Sequence, residues 1–528
     1  MPTVNLLNDE QVQRFIVDGF VRVRPEVDPE VHETVNRQIR IAEEHEYHFG
    51  NNIVSRVPVM WEVLRSPSVV GALTSLLGPH YYVHPHRAIH TSRPVDDKTV
   101  EYNEDFNGPP MGKGSRAGSG WHQDAQSPLS RARHHLPKYL IGFYFPHATP
   151  PEMGPTRFQA GSYLYSHPVE PSGVVLPKDI EQGAFFLLHF DTVHAGWPNR
   201  TDTSRYMVKF VFSRTTDSPR PTWQSELINW QNPIDAVSET SPEPAWEFVW
   251  NWMRGNDFAT NGFDRSSVSF KDLNGNNQER RLCATYGLAT PENIPFFVDR
   301  LKSLSNSDAY QRKLWVGKDG RAIPRDDTRD NVRRWNERAI VMDDAAYALS
   351  ACGPEAVGPL IELLDSDSPW VLINSVFALG ELGNHAQEAI PALARVLNNP
   401  MQQVVRQTLD AIGSIGSNID CVLPAIDELL TTSRPGWEEP EVMRGWTGSD
   451  QIRMNAVSTL LNAINYPGNN LDEIERMFAM SLNDRNGYVG AIACEGLVRL
   501  GTKSSTSTAI TFLSDRRFDE RVSLRKPF

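Results

Sequence analysis

The chain is poor in cysteine, short of positive charge and without a long apolar run, and each shortage closes a class of function. Its 528 residues hold four cysteines, Cys283, Cys352, Cys421 and Cys494, far apart and with no Cys-x-x-Cys pair. That spacing excludes a disulfide framework and a four-thiolate zinc site, and three of the four lie in apolar, helix-like surroundings that predict buried free thiols. Lys and Arg total 52 against 65 Asp and Glu, a formal charge of −13, which argues against nonspecific attraction to nucleic acid or an anionic membrane. No stretch approaches the roughly 18 consecutive apolar residues of a membrane span, and the opening ten residues have neither the basic nor the apolar region of a signal peptide. The expectation is a soluble, cytoplasmic protein with no nucleic acid and no membrane among its partners.

What is present divides the chain. A length of 528 residues exceeds one ordinary core. Counted along the sequence, charge sums to about −3 over residues 1–340, about −13 over 341–520 and about +3 in the tail with Arg521, Arg525 and Lys526. The first part predicts a helix over Asp9–Val17, an Asp18-Gly19 turn and a strand over Phe20–Val23. Strand-length runs rich in aromatic and β-branched residues follow at Tyr139–Phe145 and Arg205–Phe212.

Beyond residue 340 the pattern turns helical and repeats. Ala348–Gly353 leads to Pro359–Leu364, Ala378–Gly383 to Pro391–Leu397, and Ala411–Gly416 to Pro424–Leu430. The prolines are 32 and 33 residues apart, the length of two short helices with their turns. Each Gly suits a left-handed helix end and each Pro the first turn of the next helix. Weaker copies lie at Met454–Leu461 and Tyr488–Gly501. The array resembles a HEAT-type α-solenoid, which buries a continuous core and leaves a surface either for a protein partner or for covering the first domain. Between the halves, Trp223, Trp230, Trp246, Trp250 and Trp252 crowd together, more often packing between domains than the lining of a pocket, and Asp326–Arg338 reads as a charged linker. The expected boundaries are 1–230, 231–340, 341–520 and a basic tail, 521–528.

The chemistry resides in the first part. In Trp121-His122-Gln123-Asp124, His122 and Asp124 at i and i+2 share one side of an extended segment, with Gln123 opposite. The run Gly112–Gly120 before them reads as a mobile loop. A third ligand is His194, delivered by the turn and buried strand that start at Gly183. Two imidazoles and one carboxylate occupy one face of a metal and leave the other open to O2. His189, five residues before His194, is expected to point elsewhere, and His134, His135, His147 and His167 to be loop or surface residues. His84, His86 and His90 read equally well as pocket lining or as a polar edge. Arg205, eleven residues after His194, is placed to hold the distal carboxylate of a 2-oxoacid through paired charge-assisted bonds, whereas Arg200 reads as a solvated loop charge.

Five ordered elements together resemble the phytanoyl-CoA dioxygenase family: the opening Leu7–Val23, Trp121–Asp124, Gly154–Ser162 with His167, Gly183–Asn199, and Arg205. The resemblance implies a double-stranded β-helix (jelly-roll) oxygenase domain ahead of the all-α repeats, a multidomain α+β chain. It implies Fe(II) held by His122, Asp124 and His194, with Arg205 and Gln123 at the 2-oxoglutarate co-substrate. The implied activity, a dioxygenase hydroxylating a C–H bond of a small-molecule or carrier-bound substrate, consumes O2 and releases succinate and CO2. Two departures stand out: Ala160 replaces a usual Pro, and Gly196 sits where a small hydroxyl residue often assists the co-substrate. Arg131, Arg133 and Lys138 read either as a patch for coenzyme A phosphates or as solvated charge. The alternative to an enzyme is a catalytically silent scaffold acting through its repeats.

Overall fold

The structure, a computed structural model, describes residues 4–46, 50–96, 98, 123–124, 132–165, 173–175, 177–255, 258, 265–275, 277–304, 315–316, 322–323, 341–438 and 447–516. Trp121, His122, Arg131, His167, the run 112–120, the charged segment 326–338 and the tail 521–528 lie outside the described residues.

The helix Asp9–Asp18 begins at a capping box in which Asn8 accepts from the Gln11 backbone N–H and the Gln11 side chain accepts from that of Asn8. It ends at Gly19, whose φ of 79° a side chain rarely adopts, and the chain turns directly into the first strand. Among the described residues of the first part, nine strands build two sheets: β1 (Phe20–Val23), β2 (Tyr82–Val83), β3 (Ala88–Ser92), β4 (Tyr139–Tyr144), β5 (Arg157–Gln159), β6 (Val174–Val175), β7 (Phe185–His189), β8 (His194–Ala195) and β9 (Arg205–Ser213), while Trp315–Val316 and Ala322–Ile323 pair separately. The larger runs β1-β7-β4-β9-β2 with β3 also on β9, the smaller β6-β5-β8, and every pairing is antiparallel.

Alternation along the strands decides what each face buries. Ile141 and Phe143 of β4, Phe186 and Leu188 of β7, and Met207 and Val211 of β9 pack with Phe158 of β5 into one apolar layer. The opposite face, with Phe185, Leu187, Val208, Phe210 and Phe212, belongs to the main core shared with the helices. Each such side chain contributes roughly 1.5–3 kcal/mol by leaving water. Gly142 is required here, because a Cβ would sit 2.8 Å from the rings of Phe185 and Phe212.

The second part is five helix pairs: 344–351 with 357–362, 369–381 with 390–396, 402–415 with 423–431, 448–463 with 471–481, and 487–500 with 503–514. Neighbouring first helices pack in series, 369–381 on 402–415 on 448–463 on 487–500. Gly353, Gly383 and Gly416 take positive φ, and Pro391 and Pro424 occupy the first turn of the following helices, as the periodicity predicts. Helices 278–287 and 294–302 also pack against 344–351. The tryptophans are packing residues: Trp223 and Trp250 rings lie 5.3 Å apart, Trp230 contacts Trp246 and Trp250, and the Trp223 indole donates to Asp9 at 2.6 Å. All four cysteines are free, but only Cys352 and Cys494 are buried; Cys283 is half-buried and Cys421 exposed, a correction to the expected burial.

The repeats lie along the sheet region. His86 hydrogen-bonds the Tyr488 hydroxyl at 2.7 Å, Arg499 donates to the carbonyls of His80 and Tyr81, and the Tyr466 hydroxyl accepts from the Asp217 backbone at 3.5 Å.

Candidate metal and co-substrate site

His194 is set by the turn that joins β7 to β8. The Val193 backbone N–H donates to Ser162 Oγ at 2.9 Å, and His194 Nδ1 lies 2.9 Å from the Thr192 carbonyl. A carbonyl only accepts, so Nδ1 carries the proton and Nε2 keeps a lone pair. That lone pair faces Asp124, with 3.8 Å between Nε2 and Oδ1. At this separation both atoms can reach one cation through bonds of roughly 2.1 Å. The geometry therefore fits a divalent metal. His122 lies outside the described residues, and among those that are described no group of three His, Cys, Asp or Glu forms a metal site.

The other Asp124 oxygen, Oδ2, is held by the Lys209 ammonium. Arg205, Met207, Lys209 and Val211 alternate onto the same face of β9, and register places Ser92, His90 and Ala88 of β3 opposite the first three. His90, exposed on this face, lies within electrostatic reach of Lys209, Asp124, Arg205 and His194. Lys209 was not singled out from the sequence. Its signal was a lone charge inside an apolar strand, four residues from Arg205 and so on its side.

Arg205 is buried at 5 % exposure, and its guanidinium donates to the carbonyls of His90 at 3.2 Å and Gly154 at 3.0 Å. Its Nε has no partner and, among the described residues, no carboxylate pairs with it. Burial pulls its pKa down to about 10. A buried cation with donors to spare is a poor element of a core but a prepared site for an anion. Gly154 keeps its carbonyl there because a Cβ would meet the Trp197 carbonyl at 2.4 Å.

Gln123 does not point at the co-substrate region with its amide nitrogen, which instead donates to the carbonyls of Tyr165 and Asp191, each at 3.0 Å. At the position two after His194, the Gly196 carbonyl accepts from Arg157 at 3.4 Å, and the Arg157 guanidinium stacks 4.2 Å over Trp197. His189 points away, as expected, to the Leu136 carbonyl and the Tyr163 ring. His147 is half-buried and accepts from the Tyr206 backbone.

Several expectations are corrected. His134 and His135 lie in a loop, as expected, but the loop is buried rather than at the surface. Arg133 pairs with Asp191 and Lys138 with Asp217 at 3.0 Å, all but Asp217 fully buried, so neither cation forms a phosphate-binding patch or a solvated charge. Arg200 is half-buried, not solvated. His84 and His86 pack on Tyr488, whereas His90 is the member of that trio within electrostatic reach of Asp124, Lys209, Arg205 and His194.

A family model described as HEAT repeats matches residues 325–436. No curated protein matches the chain. Among solved structures, the chain is similar to the non-heme alpha ketoglutarate dependent epimerase SnoN from nogalamycin biosynthesis, at 17% identity over 39% of this chain and 81% of that one, with a TM-score of 0.30. It is similar also to AviO1 from Streptomyces viridochromogenes, at 15% identity over 40% and 96% with a TM-score of 0.29. A third similarity is to EctD from S. alaskensis, solved with 2-oxoglutarate and 5-hydroxyectoine, at 13% identity over 44% and 89% with a TM-score of 0.30. Likeness at this level leaves fold and activity to be argued from the chain's own residues.

Proposed function

We propose that the sheet region is an Fe(II)- and 2-oxoglutarate-dependent dioxygenase of the phytanoyl-CoA dioxygenase kind, its two sheets a double-stranded β-helix, hydroxylating an unactivated C–H bond. The observation that carries this reading is the buried Arg205 guanidinium, which has no carboxylate partner among the described residues, on the strand whose Lys209 holds Asp124 beside His194. A bare metal site needs no such cation; a dicarboxylate that binds a metal at one end does.

Iron, when bound with 2-oxoglutarate and O2, supplies the oxidising power, and the protein supplies orientation and shielding. His122, Asp124 and His194 hold the metal, with the Thr192 carbonyl keeping His194 in the ligating tautomer. Arg205 clamps the far carboxylate of 2-oxoglutarate. Lys209 fixes the Asp124 oxygen turned away from His194, which leaves Asp124 a single oxygen for the metal. Phe143, its ring 5.7 Å from that of His194, and Met207 give this side of the site an apolar wall. The substrate is a small organic or carrier-bound molecule; coenzyme A recognition by Arg133 and Lys138 is excluded by their burial.

Anaerobic addition of Fe(II) and 2-oxoglutarate tests the reading. A visible metal-to-ligand charge-transfer band, lost in Arg205→Ala with iron still bound, is the expected result. Iron binding without the band would overturn it.

A further inference from the structure

The repeats reach the candidate site through one short strap, residues 132–136. On its sheet side, Arg133 forms a buried ion pair with Asp191, and the other Asp191 oxygen accepts from the His134 backbone N–H at 3.3 Å. Asp191 is the centre of the turn that carries His194. Its carbonyl takes the Gln123 amide at 3.0 Å, and its backbone N–H donates to His189 Nδ1 at 3.2 Å. Asp191 thus joins three parts: its carboxylate holds the strap, its backbone carbonyl holds the residue beside Asp124, and it lies in the turn three residues before His194.

On its other side the strap is gripped by two helices of the second part and by helix 278–287 before it. His134 Nδ1 lies 2.8 Å from Glu381 and its ring 5.5 Å from that of Phe377, both on helix 369–381. His135 stacks at 4.1 Å on Tyr347 of helix 344–351 and bonds the Tyr286 hydroxyl of helix 278–287 at 2.6 Å. The Tyr347 hydroxyl donates to the Arg133 carbonyl at 2.8 Å. Glu381 is 4 % exposed and Tyr347 3 %. A carboxylate buried that deeply is costly without its partner, so this contact is specific rather than incidental.

We propose that Glu381 and Tyr347 are positioning residues for the metal site: acting through His134, Arg133 and Asp191, the repeats hold the 189–194 turn so that His194 faces Asp124. This rests on the reading of Asp124 and His194 given above, and it assigns the repeats a part in the chemistry beyond covering the sheet. A network of this kind is coupled in both directions, so metal at His194 also tightens the strap against the repeats.

The test uses the full-length chain with Glu381→Gln and Tyr347→Phe, alone and together, and Tyr488→Phe as a control that removes a contact at the far end of the same interface. The first readout is hydrogen exchange of residues 189–194 in metal-free protein. The double variant is expected to exchange there about tenfold faster than wild type, and Tyr488→Phe to leave that segment unchanged. The second is Co(II) affinity and the Co(II) absorption spectrum, expected to weaken by about tenfold and to change shape in the double variant only. Unchanged exchange at 189–194, or equal acceleration in Tyr488→Phe, overturns the inference whatever the metal result. A wild-type chain that binds no Co(II) overturns the metal reading instead, and the exchange experiment still decides whether the repeats hold the turn.

Discussion

The two parts of the molecule are held together by contacts of opposite reach. In the repeats, each first helix packs on the next one along, 25 to 46 residues away, and the pattern recurs. In the sheet region, β1 pairs with β7 across more than 160 residues, Phe20 against Leu188, and Asp124 meets Lys209 and His194 only once every strand is in place. Repetition yields a structure whose damage stays local, whereas convergence yields one that fails as a whole but can bring distant polar groups to one point. Chemistry needs the second kind; a long supporting surface needs the first.

The sharpest break of this comparison is at the point of convergence. His194→Ala is expected to remove iron binding and to cut succinate formation by roughly a thousandfold or more, with the repeats unaffected by circular dichroism. A residual rate within tenfold of wild type would mean that the pair does not hold the metal.

Next come matched cavities in the two parts. Phe186→Ala, in the layer between the sheets, is expected to cost about 3–5 kcal/mol and to raise hydrogen exchange across β1, β4, β7 and β9 together. Leu393→Ala, in helix 390–396, is expected to cost about 2–5 kcal/mol and to raise exchange mainly in its own helix pair and the two beside it. Equal spread of exchange in both variants would erase the distinction.

Smaller effects sharpen it. Lys209→Met is expected to weaken Fe(II) binding by about 10- to 100-fold without unfolding the sheet, read by metal titration. Arg205→Lys keeps the charge but loses the paired donors, so KM for 2-oxoglutarate is expected to rise by about tenfold with kcat little changed. Acid acts through the buried imidazoles at the junction. Burial depresses His135 to about 3 and His189 to about 4 from 6.5. Their unfolded forms take up protons that the folded forms refuse, so stability is present above pH 6.5 and falls as pH drops from there toward 4. The loss approaches about 1.4 kcal/mol per pH unit for each imidazole. His135→Gln is expected to flatten that fall in a Tm series.

How much of this was legible follows from the same contrast. Helix ends at Gly353, Gly383 and Gly416 and starts at Pro391 and Pro424 are written locally and repeated, so periodicity alone locates them. Likewise Asp9–Asp18, its glycine stop and β9 follow from capping and alternation. What the sequence hides is partnership. His134, His135 and Arg133 read as surface loop residues because three polar side chains stand in a row without helix or strand period; their partners, Tyr347, Glu381 and Asp191, lie far along the chain. Lys209 was hidden differently, since a charge in an apolar strand has meaning only when Asp124 is beside it.

The spacing of the contacts along the repeats sets a limit on heredity. Tyr347, Tyr466 and Tyr488, from the first, fourth and fifth pairs, each meet a fixed point on the sheet region. Duplicating one 33-residue unit between them would displace every later contact by about 8–10 Å, the width of a helix. Repeat proteins ordinarily gain and lose units freely; in this chain the unit count behaves as a ruler, and descendants with one unit more or fewer must rebuild the face on which the sheet rests.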